Sequence, residues 1–185
     1  MKKMLDNGKL SLFGRNVEQC IEFIPFFELI FADFQPKRIL ELGCGCAGLT
    51  TYIALWAYLC DATYLTNDNR NREATQKHID KISKILPLTF LEEDMYKVLP
   101  QLKDFISTDS PVMIICDGGI KLKQMETVTH WLNSGDLLLS HDYERPLSQG
   151  GLDEKTGIEF RNKYGYKPLF EDYWVEAHWI CLKKI

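Results

Sequence analysis

The stretch Arg38-Ile-Leu-Glu-Leu-Gly-Cys-Gly-Cys-Ala-Gly-Leu-Thr50 constrains this 185-residue chain more than any other segment. An apolar run ends in an acid, Glu41. Glycines follow at Gly43, Gly45 and Gly48, and a helical pattern begins at Leu49. The order is that of a buried strand, a tight turn and a helix. Glycine lets a backbone bend sharply and lets another group approach without a Cβ in the way. A helix N-terminus adds N–H groups that have no partner within the helix. A polar, nucleoside-bearing small molecule therefore fits such a turn.

Two ligand classes compete for it. Gly43-x-Gly45-x-x-Gly48 fits the dinucleotide pattern, in which a pyrophosphate rests on the helix N-terminus. Glu41 argues the other way, because an acid at the strand's end repels a pyrophosphate and favours a ligand carrying an ammonium and a sulfonium. Glu-x-Gly-x-Gly-x-x-Gly resembles the first motif of class I S-adenosylmethionine (SAM) methyltransferases. A nicotinamide or flavin dinucleotide, as in an oxidoreductase, is the competing reading. A strand–helix turn with no ligand is the third.

Apolar residues from Val17 to Phe34 step by three and four and predict a helix, with Pro25 as a kink or a new start. Strands are expected at 38–42, 62–66, 88–91, 112–116 and 137–140. Helices are expected between them at 49–59, 71–85, 96–105 and 121–132, and a further short helix at 153–164. Val112-Met-Ile-Ile-Cys116 is continuously apolar, as in a strand covered on both faces. The segment from Leu169 to Ile185 predicts two last strands around a turn near 175–177. This alternation indicates an α/β fold: a Rossmann-like, doubly wound, mostly parallel sheet with helices on both faces and an antiparallel C-terminal strand. No linker divides the chain, so 1–185 reads as one domain, opening with a helical segment over about 1–35.

The net charge of −4 and the lack of any dense Lys/Arg block argue against a nucleic-acid partner. No apolar run is long enough to span a bilayer, so no membrane association is expected. Met1-Lys-Lys-Met-Leu-Asp6 lacks the apolar stretch of a secretory signal, and a cytoplasmic location is expected. A small-molecule substrate is the expected partner, with a homodimer as the expected assembly. The six cysteines show no zinc pattern and read as packing residues.

Ligands of parallel sheets bind beyond the strands' carboxyl ends, where Glu41, Asp68, Asp94, Asp117 and His141-Asp142 fall. Asp68 suits the ribose hydroxyls of a nucleoside, or alternatively a turn or helix cap. Asp94 resembles the acid that contacts the adenine amino group in many SAM enzymes, with Met95 packed on the ring; a solvated acidic turn competes. Asp117 is followed by Gly-Gly-Ile rather than by the Pro-Pro-Tyr of base-amine methyltransferases. Cys116 lacks the preceding proline of cytosine C5 enzymes. Asp117, His141 and Asp142 together offer a carboxylate, an imidazole and a carboxylate, a set able to ligate a divalent metal such as Mg²⁺, Mn²⁺ or Zn²⁺. Separately, Asp117 suits the methionine part of SAM, and His141 a general base.

The motifs at 38–50, 111–118 and 136–143 resemble metal-dependent O-methyltransferases, in particular the group of macrocin O-methyltransferase and cephalosporin-hydroxylase-like proteins, and more distantly catechol O-methyltransferase. Gly14-Arg-Asn-Val-Glu-Gln19 and Gln35-Pro-Lys-Arg38 also look familial. The resemblance implies SAM held by Glu41 at its amino-acid end, by the backbone of Gly43, Cys44, Gly45 and Gly48, and by Asp68 at its ribose. It implies a metal held by Asp117, His141 and Asp142, with His141 standing where an acid is usual. Catechol-type enzymes place a lysine base shortly after the fourth-strand acid. Lys121 lies near that position at a different spacing, and reads more readily as a surface residue. The candidate catalytic residues are thus His141, Asp117 and Lys121. The implied activity is metal-assisted O-methylation of a small hydroxylated molecule. A SAM-binding protein of this fold without methyltransferase activity is the alternative, beside the dinucleotide oxidoreductase.

Overall fold

The computed structural model describes residues 5–6, 9–12, 14–17, 19–69 and 73–185. A small antiparallel meander opens the chain: β1 (Leu5–Asp6), β2 (Lys9–Leu12) and β3 (Arg15–Asn16). Then follow α1 (Phe23–Asp33), β4 (Arg38–Leu42), α2 (Gly48–Leu59), β5 (Thr63–Asn67), α3 (Glu73–Ile82), β6 (Leu88–Leu91), α4 (Leu99–Ile106) and β7 (Val112–Cys116). The chain continues through α5 (Lys121–Val128), β8 (Leu137–His141), α6 (Glu154–Tyr164), β9 (Tyr166–Pro168), α7 (Trp174–Ala177) and β10 (Trp179–Lys184).

The main sheet has seven strands in the order β6-β5-β4-β7-β8-β10-β9. β6, β5, β4, β7 and β8 run parallel, whereas β10 pairs antiparallel with both β8 and β9. Every residue of β7 and β8 is buried, so both faces of the sheet centre are covered. The chain winds outward from β4 to β5 and β6, then crosses back to β7 and β8. β4 and β7 are therefore the strands between which an open sheet leaves a ligand crevice. An antiparallel β10 inserted beside β8 departs from the mostly parallel order of dinucleotide-binding sheets.

The amino-terminal helix is shorter than the sequence predicts. The aromatic spacing continues backwards through Val17, but residues 15–16 are strand and α1 starts at Phe23. Pro25 is the third residue of α1, in the first turn, where a missing N–H costs nothing. The opening of the chain is thus meander and then helix rather than one helical segment. α1 drives its aromatic face against α2 and β10: Phe31 stacks on Trp56 at 5.0 Å, and Phe27 meets Trp179 edge-on at 5.1 Å. Such aromatic pairs add about 0.5–1.5 kcal/mol each beyond the area they bury.

At the other end, the first of the two last strands is β9 at 166–168, earlier than expected, and residues 171–177 coil into helical turns. Residues 70–72, the expected start of α3, lie outside the described set. No helix among the described residues is long and apolar enough to cross a membrane.

Candidate active site

A cleft of about 610 Å³ opens where β4, β5, β7 and β8 end. That size falls within the range of small-molecule sites, about 300–1,000 Å³. Gly43, Cys44, Gly45, Gly48, Asp68, Asp94, Met95, Asp117, Lys121, His141 and Asp142 all line it. The topology thus gathers into one cavity eleven of the twelve residues singled out from the sequence. Glu41 is the exception.

The glycine turn is shaped by the protein's own backbone. Gly43 sits at φ +100°, and a Cβ there would lie 2.5 Å from the Gly118 Cα, so β4's exit can touch β7's exit only without a side chain. A Cβ on Gly48 would run into the Asn16 carbonyl. The sequence suggests that these glycines spare room for a ligand. At Gly43 and Gly48 they spare room for neighbouring chain.

Asp68 closes the turn from the end of β5. Its Oδ2 accepts from the backbone N–H of Cys44 (3.1 Å) and of Gly45 (2.9 Å). In a dinucleotide site these donors would face a pyrophosphate. Here a carboxylate already takes them, and its negative charge disfavours a second anion. Across the cleft wall, Asp94 accepts from the Tyr96 N–H at 2.8 Å and from the Asn69 amide at 3.0 Å, so it caps a short turn as well as lining the cavity. Met95 is buried, and its sulfur accepts from the Gln124 amide at 3.6 Å. Burial pushes the Cys44 thiol well up, with Glu41 and Asp68 adding to it, which leaves no thiolate for chemistry.

Glu41 is fully buried, and its side chain is absent from the cleft wall. One oxygen, Oε2, accepts from Thr50 (2.9 Å), Tyr64 (2.6 Å) and Thr66 (2.6 Å). The other, Oε1, has no hydrogen-bond partner among the described residues. Burial raises its pKa to about 7; the three hydroxyl bonds pull the other way, while the charge of Asp117 adds to the rise. The side chain expected from the sequence to meet a cofactor's amino-acid end therefore lies outside the cleft lining. It braces the underside of the turn.

Asp117 and His141 end the adjacent strands β7 and β8, and the His141 Nδ1 lies 2.8 Å from Asp117 Oδ1. An ionised carboxylate only accepts, so Nδ1 carries a proton, and in the neutral ring Nε2 is then the acceptor. Two residues that the sequence reading did not assign fix this pair. The Gln19 amide donates to Asp117 Oδ2 at 3.0 Å, and its carbonyl accepts from the Trp179 indole N–H at 3.1 Å, which sets which way the amide points. Trp179 pairs opposite His141 across β10 and β8, and its ring stacks on the imidazole at 4.9 Å.

Asp142 follows β8 in the left-handed region, φ +59°, a conformation that aspartate tolerates better than most residues. Its Oδ2 lies 3.1 Å from Lys121 Nζ, and its Oδ1 lies 2.9 Å from the Arg145 guanidinium. Burial alone would push this carboxyl up, but His141, Lys121 and Arg145 together hold it below the ordinary carboxylate range. Lys121 is buried at 5% exposure rather than at the surface, because the 142–151 loop folds over it and Gly150's carbonyl accepts its backbone N–H.

The side chains implied by resemblance as metal ligands touch one another, His141 Nδ1 lying 2.8 Å from Asp117 Oδ1 and 3.5 Å from Asp142 Oδ1. Among the described residues, no three His, Cys, Asp or Glu side chains group as ligands. The oxygens of Asp142 face two fixed cations, and the His141 Nδ1 is engaged by Asp117.

The chain matches no protein-family profile and no curated protein sequence. Solved structures do share its fold. An S-adenosylhomocysteine-bound methyltransferase of Podospora anserina, PaMTH1, superposes with TM-score 0.63 at 15% identity, over 85% of this chain and 75% of that one. A Staphylococcus aureus protein assigned as a caffeoyl-CoA O-methyltransferase gives TM-score 0.66 at 14% identity, over 90% and 85%. CmcI in its apo form gives 0.65 at 12% identity, over 95% and 76%. At these identities the likeness is one of fold.

Proposed function

We propose that this protein is a SAM-dependent methyltransferase that methylates an oxygen of a small hydroxylated molecule. One observation carries the reading: a single cleft holds an acid seated on the glycine turn, Asp68, and an oriented acid–imidazole pair, Asp117–His141. The first suits the ribose of a cationic nucleoside cofactor, and the second suits a proton acceptor beside it. The S-adenosylhomocysteine bound to PaMTH1 supports the same assignment by likeness of fold. The macrocin-type affinity rests on Asp117 and on His141-Asp142-Tyr143 standing at the ends of β7 and β8.

When bound, SAM supplies an electrophilic methyl group on a sulfonium. The chain's own part is alignment, exclusion of water and a place for the proton. Asp117 holds the Nδ1–H of His141, so Nε2 accepts the hydroxyl proton as the substrate oxygen bonds to the methyl carbon. SAM bound there would give up its methyl group with the electron pair retained on sulfur and would leave as S-adenosylhomocysteine. The metal-assisted form implied by resemblance has less support than this one, because both Asp142 oxygens already lie beside cations, Oδ2 at 3.1 Å from Lys121 and Oδ1 at 2.9 Å from Arg145. Calorimetry with SAM, S-adenosylhomocysteine and NAD tests the reading. Binding of either sulfur nucleoside without NAD is expected; binding of NAD alone would overturn it.

A further inference from the structure

We infer that Lys121 and Arg145 stand in this site where metal-dependent enzymes of similar sequence motifs carry a divalent cation. The site is then built to work without metal. The inference rests on the cleft being the methyl-transfer site, but its main test does not.

Charge provides the first reason. Asp117 and Asp142 contribute two carboxylates to the substrate end of the cleft. Lys121 and Arg145 contribute two positive charges, so the group balances with nothing added. An acid at position 141 would have left one negative charge over. The histidine, which looks like a departure when read from sequence, is the change that makes a pair of monovalent cations sufficient.

Burial provides the second. The Lys121 and Asp142 side chains are 6% and 14% exposed, and their charged atoms are 3.1 Å apart. Lysine is seldom buried unless it is paired, and a pair this enclosed is screened little by solvent. Lys121 Nζ also lies 3.4 Å from the Gly118 carbonyl, which ties it to the β7 exit. Arg145 reaches the other carboxylate oxygen from the half-exposed lip of the cleft. A dication on Asp142 would sit beside both cations and would have to displace them.

Geometry provides the third. The ring atom of His141 that faces both carboxylates, Nδ1, is 2.8 Å from Asp117 Oδ1 and 3.5 Å from Asp142 Oδ1, and the Gln19 amide bonds the other oxygen of Asp117. Two of the three would-be ligands thus engage each other, and the third lies against two cations, although its Oδ1 makes no hydrogen bond among the described residues.

Mn²⁺ is titrated into the ligand-free protein, and the loss of its free-ion electron paramagnetic resonance signal is followed; Mg²⁺ and Zn²⁺ then compete. The wild type is expected to leave the signal unchanged. The Lys121→Met, Arg145→Met double variant is expected to acquire one Mn²⁺ per chain, and a further Asp142→Asn change to remove it. Arg145→Gln, at a half-exposed position, provides the same reading with a partial gain if the double variant does not fold. Stoichiometric Mn²⁺ binding by the wild type that Asp142→Asn abolishes would overturn the inference. So would variants that fold and gain no metal, because the cations would then not be what occupies the place. No arm requires SAM, so failure of the cofactor reading is seen separately, in calorimetry.

Discussion

The substitution Glu41→Gln should free the protein from a pH-dependent loss of stability. Glu41 is fully buried, and its pKa stands at about 7 against an ordinary 4.5. A carboxyl whose folded pKa is raised stabilises the folded state relative to its ionised form. That contribution is complete below the unfolded value and is lost as pH rises to and through the folded one. The displacement corresponds to about 3 kcal/mol between acidic and alkaline limits, most of it lost by pH 7. The amide of the variant presents the same acceptor oxygen to Thr50, Tyr64 and Thr66 and has no charge to desolvate. Urea unfolding of wild type and Glu41→Gln in parallel at about pH 5 and about pH 8 isolates the effect, since other titrating groups cancel in the double difference. The variant should gain about 2.5 kcal/mol on the wild type between the two conditions, or about 5–10 °C in Tm for a domain of this size. An equal gap at both pH values would refute the reasoning, because Glu41 would then ionise as freely folded as unfolded.

Two further substitutions test the walls of the cleft. Gly43→Ala meets the Gly118 backbone and a left-handed φ at once, and should cost more than about 2 kcal/mol in thermal unfolding. Gly119→Ala, also at positive φ but with nothing within 4 Å of the new Cβ, should cost clearly less; equal losses would remove the contact from the account. Asp68→Ala should weaken SAM binding by about 1.5–3 kcal/mol in calorimetry, the scale of hydrogen bonds to a charged group. Unchanged affinity would return Asp68 to a purely structural role in the turn.

The central strands are legible because burial on both faces turns them into unbroken apolar runs, as at 112–116 and 137–139. The acids that follow them are legible because a parallel sheet collects its loops at one edge. Glu41 is harder to read, since an acid near a strand's end can face either the cleft or the sheet. A signal was nonetheless present. Tyr64 stands opposite Ile39 and Thr66 opposite Glu41 in the β4–β5 register, so the alternating hydroxyls of β5 share Glu41's face. Polar side chains two apart on a central strand mark an internal acceptor. Lys121 and Gln19 depend on longer reach. Lys121 meets Asp142 and Gly150 across more than 20 residues of sequence, and Gln19 meets Asp117 across 98. Neither distance leaves a local pattern. The helical spacing of 17–34 misleads for a related reason: packing of α1 on α2 and β10 selects aromatic positions, and the same period continues by chance into a segment before Phe23 that is not helix.

A crystal structure of the protein with S-adenosylhomocysteine tests the central claim most directly. The account predicts density in the cleft between the ends of β4 and β7, with the ribose hydroxyls hydrogen-bonded to Asp68. The sulfur end should lie beside Asp117 and His141, with Glu41 untouched beneath the turn. Nucleoside density elsewhere on the molecule, or a ribose that turns away from Asp68, would contradict it.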